Sequence, residues 1–171
     1  MTKTLILYYS RTGNTKAACN VLQEELGADI LELRDLKNRA GKWGFFCSLW
    51  ACIFNIKTKI DPEKPNFSAY NNIILGTPVW GGGLSLAMRT LIARNRFDRK
   101  KVIIFVTTNG QESEKQTEKA RNLVRRAGGN PGPFFQVLAR KRIDGKRFDR
   151  TLDEMLKDTV NLIPKIKKVL S

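Results

Sequence analysis

The sequence predicts an α/β fold in which helices cover both faces of a parallel sheet, and two observations support this prediction, while the length indicates the number of domains. Continuous apolar runs, typical of strands buried on both faces, recur along the chain. Segments with the helical spacing of apolar residues lie between these runs. The length of 171 residues suits one domain with a substantial core. We therefore expect a single domain over residues 1–171, with helical crossovers joining the strands.

Five segments are predicted strands. Four are continuous apolar runs, and the second in the chain is a shorter candidate. A strand with one exposed face would alternate apolar and polar residues, so the continuous runs indicate a sheet that is covered on both faces. In chain order the segments are residues 5–9, 30–33, 73–75, 102–106 and 134–139.

Four helices are predicted around this sheet. The spacing of apolar residues places three of them over residues 17–26, 84–92 and 120–127, each between two predicted strands. The fourth follows the last strand and is expected to run from about residue 151 to residue 170.

Two of the helix starts carry a capping box, in which a hydroxyl residue is followed three positions later by Glu or Gln. Ser113 with Gln116 and Thr151 with Glu154 have this spacing. In the last helix, Pro164 removes one backbone hydrogen bond and is expected to bend the helix.

The turn after the first predicted strand has the composition of a phosphate cradle. Residues 10–15 read Ser-Arg-Thr-Gly-Asn-Thr and lead into the first helix. Unpaired amides at a helix N-terminus attract an anion, Gly13 lets the amides converge, and the hydroxyls add donors. Because the Walker A lysine is absent, a monophosphate suits the turn better than a triphosphate. The alternative is a polar turn in which Asn14 or Thr15 only caps the helix.

This turn resembles the first loop of the flavodoxin-like family, which has the pattern Ser/Thr-x-Thr-Gly-Asn-Thr and wraps the phosphate of flavin mononucleotide (FMN). The resemblance covers most of the chain and implies a three-layer sandwich with a five-stranded parallel sheet in the order 2-1-3-4-5. In that order ligands bind at the carboxyl ends of strands 1 and 3. FMN is the cofactor that the resemblance implies. The matching residues are Ser10, Thr12, Gly13, Asn14 and Thr15.

Two further loops follow the third and fourth predicted strands. In residues 76–83, Trp80 offers a face for the flavin ring, and three glycines let the backbone approach it. The alternative is that Trp80 only covers the edge of the sheet. Residues 107–110 match the family's flavin-flanking loop by position, although a turn explains Asn-Gly equally well. Many flavodoxins have a second aromatic residue there, and this loop has none.

The three loops supply the predicted cofactor-binding residues, and no catalytic residue or metal ligand is predicted. The chain has no histidine, which excludes Ser-His-Asp and Cys-His catalysis, and its three cysteines lack the paired spacing of metal sites. Any chemistry would come from the cofactor. The predicted residues are Ser10, Arg11, Thr12, Gly13, Asn14, Thr15, Thr77, Pro78, Val79, Trp80, Gly81, Gly82, Thr107, Thr108, Asn109 and Gly110.

Residues 37–59 form an insertion in the second crossover, outside the familiar short-flavodoxin pattern. The segment is aromatic and basic and has no acidic side chain. One interpretation is a helix that covers the sheet, because five apolar residues have helical spacing. The others are cover for the flavin, a docking site for a partner, or peripheral contact of residues 41–55 with an anionic membrane. The five apolar residues are Phe46, Leu49, Trp50, Ile53 and Phe54.

The formal net charge of +15 and the pI of about 10.1 bear on the choice of partner. Familiar flavodoxins are typically acidic, so we expect a different partner set, with steering towards a redox partner protein that has an acidic docking surface. Nucleic acid is disfavoured because no nucleic-acid motif accompanies the charge. No segment approaches the ~20 apolar residues of a membrane span, and the N-terminus lacks signal-peptide features, so we expect a cytoplasmic protein.

The resemblance implies an FMN-binding redox protein that transfers electrons between partners. The alternative is an FMN-dependent oxidoreductase that uses NAD(P)H or a quinone, because one scaffold hosts both activities. A third interpretation is a basic binding module that has lost its flavin. The physiological donor and acceptor and the oligomeric state stay open.

Overall fold

Ten strands and four helices make up the described chain. The computed structural model describes residues 3–37, 57–143 and 146–171. The strands are β1 (Thr4–Tyr8), β2 (Asp29–Glu32), β3 (Arg34–Asp35), β4 (Ile60–Asp61), β5 (Asn72–Trp80), β6 (Gly83–Leu84), β7 (Lys101–Thr108), β8 (Asn130–Leu138), β9 (Arg140–Ile143) and β10 (Lys146–Asp149). The helices are α1 (Asn14–Leu26), α2 (Leu86–Arg94), α3 (Glu114–Arg126) and α4 (Leu152–Leu170).

The central sheet has five parallel strands in the order β2-β1-β5-β7-β8. These are the five predicted strands in the spatial order 2-1-3-4-5, so the fold prediction is confirmed. β1 lies between β2 and β5, with Ile6 opposite both Ile30 and Ile74. The continuous apolar runs are explained because β1 is buried along its whole length and β7 along all but its first residue.

The helices form one layer on each side of this sheet. On one face, α2 and α3 contribute Met88 and Val124 to a core shared with Leu75 and Ile104. On the other face, α1 and α4 contribute residues to a second core. This second core includes Ala18, Leu22, Met155, Ile163, Ile6, Ile74 and Phe105. Both predicted capping boxes are present, and α4 continues through Pro164.

The end of the third sheet strand differs from the prediction. β5 continues to Trp80 instead of ending at residue 75, and then reverses through Gly81 and Gly82 into the antiparallel strand β6. Both glycines have positive φ, 56° and 72°, which a two-residue hairpin turn of this hand requires. Leu84, predicted to be helical, therefore lies in β6, and Ser85 caps α2 one residue later.

Besides β5 with β6, two antiparallel pairs were not predicted: β3 with β4, and β9 with β10. The helical interpretation of the insertion and the membrane contact of residues 41–55 concern a segment outside the described residues. Among helices α1 to α4, none has the combination of length and apolar character needed to cross a bilayer.

Candidate functional site

The first predicted loop ends in a helix N-terminus whose amides are left open. Gly13 is the N-cap of α1 with φ 94°, and in the described part of the chain no side chain caps this helix. Asn14 and Thr15 lie in the first turn, so the alternative in which either residue caps α1 is wrong. The Gly13 amide donates to Ser10 Oγ at 3.2 Å, which ties the loop to the helix start. The arrangement provides the first-turn amides and the positive end of the helix dipole that bind phosphates.

A buried pair of hydroxyls joins this loop to the third one. Thr15 Oγ1 lies 2.7 Å from Thr107 Oγ1, and both residues are buried. One hydroxyl donates and the other accepts, so one proton of the pair remains for another acceptor. The contact fixes the N-terminus of α1 against the end of β7, which lies two strands from β1 at the same edge of the sheet.

The second loop divides between structural and cavity-lining residues. Trp80 is half-buried and packs edge-to-face on Tyr9, with ring centroids 5.7 Å apart and an interplanar angle of 85°. Thr77 is fully buried and donates to Ser85 Oγ at 2.8 Å. The Ser85 amide in turn donates a hydrogen bond to Thr77 Oγ1 at 3.3 Å. Thr77 therefore holds the junction between β5 and α2 and does not border the cavity described below.

The third predicted loop begins two residues later than expected, because β7 continues through Thr108, and hydrogen bonds of Thr108 and Glu112 hold it in place. Thr108 Oγ1 lies 2.8 Å from Glu112 Oε1 and 2.9 Å from the Gly110 carbonyl, and its single proton can serve either acceptor. The Glu112 amide donates to Gln136 Oε1 at 3.1 Å, which attaches the loop to β8. These bonds explain the turn chemistry of Asn109-Gly110 and fix the loop beside the cavity.

One cavity of about 720 Å³ brings the three loops together at the carboxyl edge of the sheet. Ser10, Gly13 and Thr77 shape the loops without lining this cavity, whereas the other predicted residues border it. Those residues are Arg11, Thr12, Asn14, Thr15, Pro78, Val79, Trp80, Gly81, Gly82, Thr107, Thr108, Asn109 and Gly110.

Sequence reasoning missed six residues that also line the cavity. Two of them, Glu112 and Gln116, lie at the start of α3, while the other four lie in the β9–β10 hairpin or directly beside it. An Asp-Gly dipeptide at 144–145 was the available hairpin signal. The six are Glu112, Gln116, Ala139, Arg140, Asp149 and Arg150.

Ion pairs hold the hairpin residues in place. Arg140 Nε donates to Asp149 Oδ1 at 2.6 Å, and these residues also face each other in the strand register. Arg150 donates to Asp158 and to the Leu138 carbonyl, and its hydrogen bond to the Asp158 carboxylate raises the pKa of Arg150. With Arg11, the cavity is bordered by three arginines and two carboxylates. Because Asp149 pairs with Arg140 and Asp158 pairs with Arg150, the attraction of this cavity for an anion comes chiefly from the N-terminus of α1.

Metal ligation has no support in the described part of the chain, where no group of three or more His, Cys, Asp or Glu side chains is arranged to hold a metal ion. Cys19 is a buried free thiol, and burial raises its pKa, which makes it a packing residue rather than a nucleophile.

Comparisons with known proteins give matches among solved structures. No family model matches the chain. No curated protein sequence matches it either. A flavoprotein from Lactobacillus acidophilus NCFM, solved in complex with FMN, is 24% identical, with a TM-score of 0.67 over 80% of this chain and 93% of its own.

Two further matches cover nearly the whole chain. Flavodoxin 2 from Bacillus cereus is 15% identical, with a TM-score of 0.53 over 96% of this chain and 99% of its own. An NAD(P)H:quinone oxidoreductase from Methanothermobacter marburgensis is 11% identical, with a TM-score of 0.57 over 98% of this chain and 97% of its own. At these identities the similarity establishes the fold.

Proposed function

We propose that this chain, which has the flavodoxin-like fold, binds FMN and transfers electrons between redox partners. One observation carries the proposal: three loops from the ends of β1, β5 and β7 border a single cavity of about 720 Å³, and a helix N-terminus without a side-chain cap among the described residues lies at its edge. Cofactor sites commonly occupy ~300 to 1,000 Å³, so the space suits a mononucleotide.

The phosphate end of FMN fits the start of α1. The first-turn amides and the dipole of α1 favour a doubly charged phosphate, and Thr12 lines the same end of the cavity with a side-chain hydroxyl. Gly13 at φ 94° allows the chain to turn sharply into the helix. Thr15 would donate to the phosphate while accepting from Thr107, which uses both functions of its hydroxyl.

The ring end of FMN fits the β5–β6 hairpin and the third loop. Trp80 supplies an aromatic surface, and Gly81 and Gly82 expose backbone at the turn. Thr108 and Asn109 border the same cavity and would contact the polar edge of the ring. Bound FMN would supply the redox chemistry, accepting one or two electrons without a protein acid or base.

We expect the redox partner to be a protein with an acidic docking surface. The net charge of +15 would attract such a surface and accelerate association at low salt. An acidic redox partner would thus explain why an electron carrier has a large positive net charge.

The alternative is an FMN-dependent oxidoreductase that acts on NAD(P)H or a quinone. The match to the Methanothermobacter marburgensis enzyme is compatible with this alternative and with an electron carrier, because one fold can host both functions. Steady-state oxidation of NAD(P)H with a quinone acceptor separates them. Turnover would favour the enzyme. Absence of turnover, with rapid exchange of electrons with an acidic redox protein, would favour the carrier.

The first test is a titration of the purified protein with FMN in phosphate-free buffer, followed by visible absorption. We expect saturable binding that Thr12→Val weakens by about 10-fold or more, because a hydrogen bond to a charged group contributes ~1.5 to 3 kcal/mol. Thr117→Val, the same change within α3, is the matched control and should bind FMN as the wild type does. If the wild-type protein binds no FMN, the proposed function is wrong.

A further inference from the structure

A second groove, of about 650 Å³, adjoins the cofactor cavity on the side of the sheet that α2 and α3 cover. It lies between the β5–β6 hairpin and α3. Val79, Gly82, Glu112 and Gln116 border both spaces. The groove has no role in the cofactor site described above.

Gln116 and Gly82 form the division between the two spaces. Gln116 Oε1 accepts from the amide and the hydroxyl of Ser113, each at 2.7 Å, so the side chain is fixed by the capping box. A Cβ built on Gly82 would lie 2.7 Å from Gln116 Nε2, which shows how closely the hairpin approaches this amide. The division between the two spaces therefore consists of a side chain held by the α3 capping box and of hairpin backbone packed closely against it.

The floor of the groove is apolar. Leu84 and Ala120 are buried at 2% and 4% exposure, and Leu123 and Phe134 are partly buried against the same core. Such a floor favours a ligand with a flat or compact apolar body, since burying apolar surface contributes ~25 cal/mol per Å².

The rim of the groove is basic. Lys115, Lys119 and Arg126 are exposed, and none of the three is in an ion pair with another described residue. Arg89 also lies at the groove, with its Nη1 3.9 Å from the position of a Cβ on Gly83.

Two carboxylates border the groove, and both are already engaged. Glu112 accepts a hydrogen bond from Thr108, and Glu118 pairs with Arg121 and Arg125. The hydroxyl of Thr108 leaves the charge of Glu112 in place, but the three basic side chains that have no ion pair with a described residue outnumber this one carboxylate, so the net charge at the rim is positive.

From the apolar floor and the basic rim, we propose that this groove is a second binding site that takes a small organic anion with an apolar body. This proposal does not depend on FMN binding. The same arrangement disfavours cationic ligands, because the basic rim repels them. It also disfavours fully polar ligands, because they have no apolar surface to bury against the floor.

The test uses 1-anilinonaphthalene-8-sulfonate, an aromatic anion whose fluorescence rises in apolar surroundings, with the full chain in the presence and absence of FMN. We expect saturable binding under both conditions. Lys119→Glu should weaken it by about 5-fold or more, since the change replaces an attraction with a repulsion. The matched control is Lys165→Glu, the same charge change on exposed α4 at the opposite face, with an effect of less than about 2-fold.

Three outcomes would overturn the proposal: no saturable binding, equal weakening by both substitutions, or full displacement of the probe by FMN, which would locate the probe in the cofactor cavity. Should the protein fail to bind FMN while the probe still responds only to Lys119→Glu, the proposed function fails and the second site stands.

Discussion

At the scale of single residues, the contact between Gly76 and Cys19 shows how little space separates the central strands from α1. A Cβ built on Gly76 would lie 2.4 Å from Cys19 Sγ and 3.0 Å from Tyr8 Cβ. Cys19 is fully buried, so neither side can yield freely. Gly76 is required here for close approach, and its φ lies outside the left-handed range.

We predict that Gly76→Ala lowers the free energy of unfolding by about 1 to 3 kcal/mol, because overpacking a dense core forces strain. Adding Cys19→Ala should recover part of this loss, since it removes the Sγ atom in the shortest contact. Urea unfolding of both single variants and the double variant measures the coupling. Gly110→Ala, with no atom within 4 Å of its Cβ, is the control and should change stability by less than ~0.5 kcal/mol. Strictly additive effects would show that the contact is not the cause.

At the scale of elements, the helices differ in how they begin. Ser85, Ser113 and Thr151 accept hydrogen bonds from first-turn amides of α2, α3 and α4, respectively. α1 starts at Gly13, and no described side chain accepts from its first turn. The three capped helices are therefore stabilised by side-chain caps, and within the described residues α1 is not. The difference in helix starts thus separates structural helices from the one at the candidate site.

We predict that Thr151→Ala lowers the free energy of unfolding by about 1 kcal/mol, because the α4 capping box loses its hydroxyl. Thr151→Ser keeps the hydroxyl and should stay within ~0.5 kcal/mol of the wild type. Equilibrium denaturation followed by circular dichroism measures both variants. If the Thr151→Ala protein is as stable as the Thr151→Ser protein, packing of α4, rather than its cap, determines the stability of the N-terminal end of this helix.

At the scale of the whole molecule, the net charge of +15 should act on the cofactor as well as on the partner. Positive surroundings stabilise a reduced, anionic flavin, although one unit charge ~10 Å away in water contributes only ~0.4 kcal/mol. Arg11, Arg140 and Arg150 border the cavity, and the ion pairs of Arg140 with Asp149 and of Arg150 with Asp158 offset part of their charge.

We predict that the midpoint potential of bound FMN is less negative than that of an acidic flavodoxin and becomes more negative as salt is added. Each charge at that distance is worth ~10 to 20 mV for a one-electron step before screening. Redox titrations at low and high ionic strength, with free FMN as the reference, measure the shift. A potential that is independent of salt, or that rises with salt, would contradict this electrostatic explanation.

The sequence determined the sheet and most helix positions because these depend on local patterns. Continuous apolar runs located the buried strands, and the Ser113 and Thr151 capping boxes located two helix starts, since side-chain periodicity and capping involve residues a few positions apart. The phosphate-loop composition likewise located one end of the candidate site, as its donors are consecutive in the chain. The strand order 2-1-3-4-5 came with the family resemblance.

Contacts between distant parts of the chain determine where β5 ends, which predicted residues face the cavity, and which further residues line it. Thr77 is turned away by its bond to Ser85, whereas Arg140 and Asp149 enter through a hairpin that follows the last sheet strand. The second groove likewise combines residues from the β5–β6 hairpin, α3 and β8. These features depend on contacts between residues far apart in the chain, which a local pattern does not encode, and they come together because the parallel strands end at one edge.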